Sequence, residues 1–175
     1  MGGGMRIIGI SGWSGAGKTT LIGKLIPALL ARGRRVSTLK HAHHRFDIDH
    51  PGKDSYAHRM AGSTEVIVAS ASRFALIHEL RDAPEWTLEQ LLGKLSPVDL
   101  VLIEGFKRDP HPKIEVFRAA NRKPPLHPED AMIRAIATDA PFEGCVLPQV
   151  HLDHIEAIAS LADQLAVPVE QVFGR

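Results

Sequence analysis

A single cysteine, Cys145, leaves this 175-residue chain no internal disulfide framework and no cysteine-based zinc site. A reducing compartment fits best, and the expectation is a cytoplasmic protein. Long apolar runs are also missing. No stretch approaches the ~18 uninterrupted apolar residues of a membrane span, and the start lacks the pattern of a signal peptide. Excess charge is missing too: 21 Lys+Arg against 20 Asp+Glu give +1, which excludes a nucleic-acid binder working by bulk charge. No repeat, low-complexity tract or composition shift divides the chain, so residues 1–4 read as a flexible leader and 5–175 as one domain. With 44% hydrophobic and 23% charged residues, the chain has the means to build a core without covalent staples.

Met5–Ser11 is a short apolar run ending at glycine, as a buried strand does. Past a glycine-rich stretch, Leu21, Ile22, Leu25, Ile26, Leu29 and Leu30 form one helical stripe closed by Gly33, with a kink expected at Pro27. Arg35–Lys40 reads as a second strand, which completes a βαβ unit. A connection from His41 to Lys53 leads to a short helix near Asp54–Ala61. Glu65–Ala69 reads as a third strand and Phe74–Leu80 as an edge strand. Thr87 with Gln90 has capping-box spacing for a helix on Leu88, Leu91, Leu92 and Leu95. Asp99–Glu104 is the most strand-like run; Lys113–Arg118 alternates, which suggests an antiparallel strand. Asn121–Pro128 is an irregular loop with three prolines, and Met132–Thr138 is a strand. Asp153 and Glu156 repeat the capping-box spacing before a last helix. The order of elements implies an open, mostly parallel α/β sheet with helices on both faces.

Gly12-Trp13-Ser14-Gly15-Ala16-Gly17-Lys18-Thr19 fits G-x-x-x-x-G-K-[ST] without a mismatch, between a predicted strand and a predicted helix. The fold class is therefore P-loop NTPase-like. Glycines let the backbone wrap an anion, and successive N–H groups converge on phosphate at a positive helix end. In this pattern Lys18 meets the β- and γ-phosphates, the Thr19 hydroxyl meets Mg²⁺, and Thr20 is a candidate donor to the α-phosphate. The cation needs a second partner, usually a carboxylate at a neighbouring strand end, and Glu104 before Gly105 is the candidate. Being one methylene longer than Asp, Glu104 acts through water or as a base; an exposed strand-end acid is the plainer alternative. Asp99 begins the same strand and belongs to the opposite sheet edge.

Between Arg32 and Arg59, seven Lys/Arg face three Asp, and five of the ten histidines fall here. A strand end delivers Lys40 and His41 toward the ligand crevice. Three readings stay open for this connection. His41 and His43 with Asp47 or Asp49 hold a transition metal; or the cations, Lys53 among them, and the imidazoles hold a second anion while Asp47 or Asp49 approaches Mg²⁺ or the attacking water; or the segment is a solvated polar loop.

The loop Gly12–Thr19, Lys40-His41-Ala42-His43-His44, Pro51-Gly52-Lys53-Asp54-Ser55, Glu104-Gly105-Phe106-Lys107 and Ala137-Thr138-Asp139 together resemble the MobB family of molybdopterin guanine dinucleotide biosynthesis, from about Met5 to about Ala166. The resemblance implies a GTP-binding protein with weak GTPase activity, Mg²⁺ as its cation, a parallel sheet extended by antiparallel strands, and a homodimer. It also implies a molybdopterin guanylyltransferase as protein partner, with molybdopterin a further candidate ligand; neither nucleic acid nor membrane is expected. The guanine-reading N-K-x-D of common GTPases is absent. Asp139 is a candidate guanine-binding carboxylate, with a strand-end turn residue as the alternative. Two rival functions remain: a P-loop small-molecule kinase with Asp47 or Asp49 as base, and a non-catalytic nucleotide-binding scaffold.

Overall fold

The computed structural model describes residues 4–42 and 46–174. The chain packs as two compact units, Met1–His41 with Leu88–Arg175, and Ala42–Thr87.

The first unit is built on a sheet whose six parallel strands are β1 (Arg6–Ser11), β2 (Val36–Lys40), β5 (Leu100–Glu104), β6 (Lys113–Phe117), β7 (Ile133–Thr138) and β8 (Gln149–His151). Their spatial order is β2-β5-β1-β6-β7-β8, and a seventh strand, β9 (Val167–Pro168), pairs antiparallel with β1. Parallel strands are covered on both faces, so their sequences run apolar without alternation. In β5, Leu100 to Ile103 are all fully buried. Helices α1 (Lys18–Ala31) and α4 (Ile155–Leu165) cover one face over Ile8, Ile10, Leu102, Ile114 and Val116. Helices α3 (Leu88–Leu92) and α5 (Val169–Phe173) cover the other over Ile7, Val101 and Ile103. Helix α1 continues through Pro27 without a break.

Lys113–Phe117 departs from expectation. It is not antiparallel but an interior strand parallel to both β1 and β7. Its alternation marks a buried polar layer instead of a solvent face. Lys113 and Glu115 are each 1% exposed. The Lys113 ammonium donates to the Asp109 carbonyl at 2.9 Å and lies 3.2 Å from Asp130. Glu115 accepts from the backbone N–H groups of Leu126 and His127 and contacts the His127 ring, which fastens the proline-rich loop. The expected cap at Asp153 is also corrected: His154 is the N-cap of α4 and makes no side-chain cap bond, while Glu156 meets Arg32.

The second unit holds α2 (Asp54–Met60) and an antiparallel hairpin of β3 (Glu65–Ala69) and β4 (Phe74–His78). Glu65–Ala69 is thus no member of the large sheet; its apolar pattern specifies a strand but not a partner. Among the described residues, no helix is long and apolar enough to cross a membrane.

Candidate functional site

The sheet's C-terminal edge gathers the first group. Strand β1 ends at Ser11 and the chain turns at Gly12, whose φ is +148° and where a Cβ would stand 2.6 Å from the Val116 carbonyl. Glycine is required there on both counts. The loop then closes on α1, with Gly17 as its N-cap and no side chain satisfying the helix's first N–H groups. Those donors form an anion-binding end of the kind phosphate occupies. Ala16 packs into the core, whereas Ser14, Gly15, Thr19 and Thr20 are exposed.

Lys18 folds back over this loop, its ammonium donating to the carbonyls of Gly12 at 3.0 Å and Trp13 at 2.9 Å. Burial holds it below the usual lysine range; Glu104 opposes that shift, and repulsion from Lys107 and Lys40 adds to it. The Thr19 hydroxyl, 85 positions from Glu104 in sequence, lies 3.3 Å from both of its carboxylate oxygens. Lys40 is the register partner of Glu104 on β2 and stands 3.6 Å from its carboxylate. Lys18 and Lys40 thus flank one glutamate, with Lys107 close enough to Lys18 to repel it, a local positive excess at a loop lined with N–H donors. Thr19 and Glu104 offer the hard oxygen donors that suit Mg²⁺.

Glu104 is aimed by the turn behind it. Gly105 has φ +102°, and a Cβ there would fall 2.6 Å from that of His41. Phe106 follows at φ +48°, a conformation rare for a residue with a side chain. The His41 N–H donates to the Glu104 carbonyl, and its ring packs 4.8 Å from that of Phe106. His41 therefore shapes the turn.

Sequence reasoning did not assign three neighbours of the loop. Lys107 lies 4.9 Å over the Trp13 ring, whose Nε1 donates to the Pro124 carbonyl. Asn121 donates to the Ser14 carbonyl, and Arg118 stands 3.3 Å from where a Gly17 Cβ would be. Lys107, within the E-G-F-K run, had a local signal; Arg118 and Asn121 had none. Asp139 accepts from the Ala119 N–H and lies 3.8 Å from Arg118. Asp99 lies at the other edge of the sheet, bonded to Arg35.

Asp47, Asp49 and Lys53 belong to the second unit. Both Asp47 oxygens accept from Arg59, and Asp49, 8% exposed, accepts from Ser55 and Arg59, which also meets Glu79. The Asp49 N–H and Arg59 hold the Asp47 carboxyl below the usual range. Lys53 is the exposed N-cap of α2. His43, His44 and Arg45 lie outside the described residues. Among the described residues, no three His, Cys, Asp or Glu are grouped to hold a metal.

The family profile described as "Molybdopterin guanine dinucleotide synthesis protein B" matches residues 7–139. A "Molybdopterin-guanine dinucleotide biosynthesis adapter protein" of Escherichia coli is 44% identical over 160 residues, 90% of this chain and 89% of the relative. One of the same description from Haemophilus influenzae is 43% identical over 159 residues, 90% and 85%. A crystal structure of Bacillus subtilis MobB superposes with a TM-score of 0.69 at 27% identity, covering 91% of this chain and 98% of that one.

Proposed function

The chain belongs to the MobB family, an adapter family of molybdopterin guanine dinucleotide biosynthesis, and we propose that its part is to bind GTP with Mg²⁺ and hydrolyse it slowly. The observation that carries this is the convergence of Lys18, Thr19, Lys40 and Glu104 at the N-terminus of α1. The loop N–H groups and the three lysines offset phosphate charge. Thr19 and Glu104 would hold Mg²⁺, whose charge would offset that of the phosphates. Glu104 also orients water. A triphosphate draws Lys18 off the Gly12 and Trp13 carbonyls, exchanging neutral acceptors for charged ones, which make stronger bonds. Asp47 and Asp49 already neutralise Arg59, which supports slow hydrolysis over transfer to an acceptor hydroxyl. The protein partner is a molybdopterin guanylyltransferase, and the adapter is a homodimer.

The test is competition of GTP against ATP run alongside turnover. GTP binds in preference, and Lys18→Ala weakens it at least about tenfold, roughly 1.4 kcal/mol, with the thermal midpoint little changed. Glu104→Gln lowers kcat more than it raises KM. Equal affinity for nucleotide in Lys18→Ala would sink the reading; unchanged turnover in Glu104→Gln would reduce Glu104 to a strand end.

A further inference from the structure

A concavity of the first unit, about 530 Å³, opens beside β6. That volume falls within the ~300–1,000 Å³ typical of small-molecule sites. Two polar side chains line it from the sheet. Ser11 is 3% exposed, and its hydroxyl has no hydrogen-bond partner among the described residues. An unpaired buried hydroxyl is costly, and native proteins rarely keep one without a reason. Lys113 lies beside it, 1% exposed, its ammonium held by the Asp109 carbonyl and Asp130. Around them stand three carboxylates, Asp109, Glu129 and Asp130, two further cations, Lys107 and Arg108, and two apolar side chains, Leu126 and Met132.

This lining balances acids against cations, so a bare anion is not its complement. It fits a flat ring with adjacent N–H donors for a carboxylate and an anionic tail for the cations. Leu126 and Met132 offer the ring an apolar surface. Lys107 links this place to the nucleotide site, since it also lies over Trp13 and repels Lys18. We infer that the cleft over Ser11 and Lys113 binds a phosphorylated 2-amino-4-oxopyrimidine heterocycle, a pterin, beside the bound nucleotide. The inference rests on the adapter reading above. Glu129 and Asp130 accept from the ring N–H and amino groups, the Ser11 hydroxyl pairs with a ring heteroatom, and Lys107 and Arg108 take the phosphate. The adapter thus holds side by side the two groups that a pterin guanine dinucleotide joins. Guanine carries the same ring edge, so the sources must be separated by experiment.

Neopterin phosphate, which is fluorescent, is titrated into the nucleotide-free full chain, while GTP binding is measured separately. Saturable binding is expected. Glu129→Gln and Arg108→Ala, both at exposed positions, each weaken it about tenfold or more. Ser11→Ala, which removes an unpartnered hydroxyl, also weakens it without lowering the thermal midpoint. Lys18→Ala loses GTP but keeps neopterin phosphate. No saturation, binding that survives both rim variants, or binding lost with Lys18→Ala overturns the inference; the last means that the probe sits in the phosphate loop. GMP displacing the probe from Lys18→Ala protein with equal affinity makes guanine the occupant and overturns the pterin assignment. Neopterin phosphate binding as predicted in a protein that ignores GTP supports the cleft and refutes the nucleotide reading.

Discussion

His111 is fully buried, and neither ring nitrogen has a hydrogen-bond partner among the described residues. Its ring fills the space over Gly9, where a Cβ would come within 2.6 Å of Nε2. Burial and the neighbouring Lys113 ammonium lower its pKa to about 4, against the opposing pull of Asp130. The folded protein therefore keeps His111 neutral where the unfolded chain, titrating near 6.5, takes up a proton. Protons then favour the unfolded state, so this contribution to stability is complete above about pH 6.5 and is lost as pH falls toward 4. The span corresponds to at most about 3 kcal/mol. His111→Leu replaces two unpaired nitrogens by hydrocarbon of similar size. It is expected to leave stability at pH 7 equal or higher and to flatten the loss between pH 6.5 and 4. Urea midpoints of both proteins at pH 7 and pH 4.5 measure this; an undiminished acid loss in the variant would assign the effect elsewhere.

At the scale of elements, β6 shows where pattern reading stops. Alternating polar and apolar residues normally mean one wet face, yet Lys113 and Glu115 are buried because loops 106–112 and 126–132 bring partners to them. Asp109 is only four positions from Lys113, but the Glu115 partners Leu126 and His127 lie 11 and 12 positions on, beyond the strand's own pattern. The same physics explains what was legible. β1, the glycine loop, α1 and β5 are specified by their own residues: unbroken apolar runs, positive-φ glycines and a helical stripe. Lys18, Thr19 and Glu104 came with them because each sits at a fixed offset from an element end. Arg118 and Asn121 reach the loop only through tertiary packing. β9 and α5 are too short to carry a period. The buried layer makes its own prediction. Glu115→Ala strands the N–H groups of Leu126 and His127 and removes the carboxylate that meets the His127 ring. A cost of about 3–5 kcal/mol is expected, as for one partner removed from a buried charged network. Protection of the Leu126 and His127 amides against hydrogen exchange should fall with it. A loss under about 1 kcal/mol would mean that water replaces the carboxylate.

At the scale of the whole molecule, the second unit covers only one face of its hairpin. A two-stranded hairpin is marginal in water without further strands or a helix to cover it. Helix α2 lies against β3, where Val66 is 8% exposed. The other face is different. Register pairs Ile67 with Leu76 and Ala69 with Phe74, and directly opposed residues share a face. Ile67 is 65%, Leu76 42% and Phe74 73% exposed. Among the described residues neither hairpin strand pairs with a third, which leaves edges that could template another strand. An apolar face bounded by open edges suits a second copy of the same hairpin, since a two-fold contact needs a self-complementary patch. This is the physical support for the proposed homodimer. Phe74→Glu and Ile67→Lys place unpaired charge at that contact and leave α2 and Val66 untouched. Each should shift sedimentation toward the monomer at micromolar concentration. The double variant, which sets opposite charges across a two-fold interface, should recover part of the association. Unchanged mass in both single variants would remove the hairpin face from the interface and leave its apolar side chains to the proposed guanylyltransferase partner, which a binding titration with the same variants would then test.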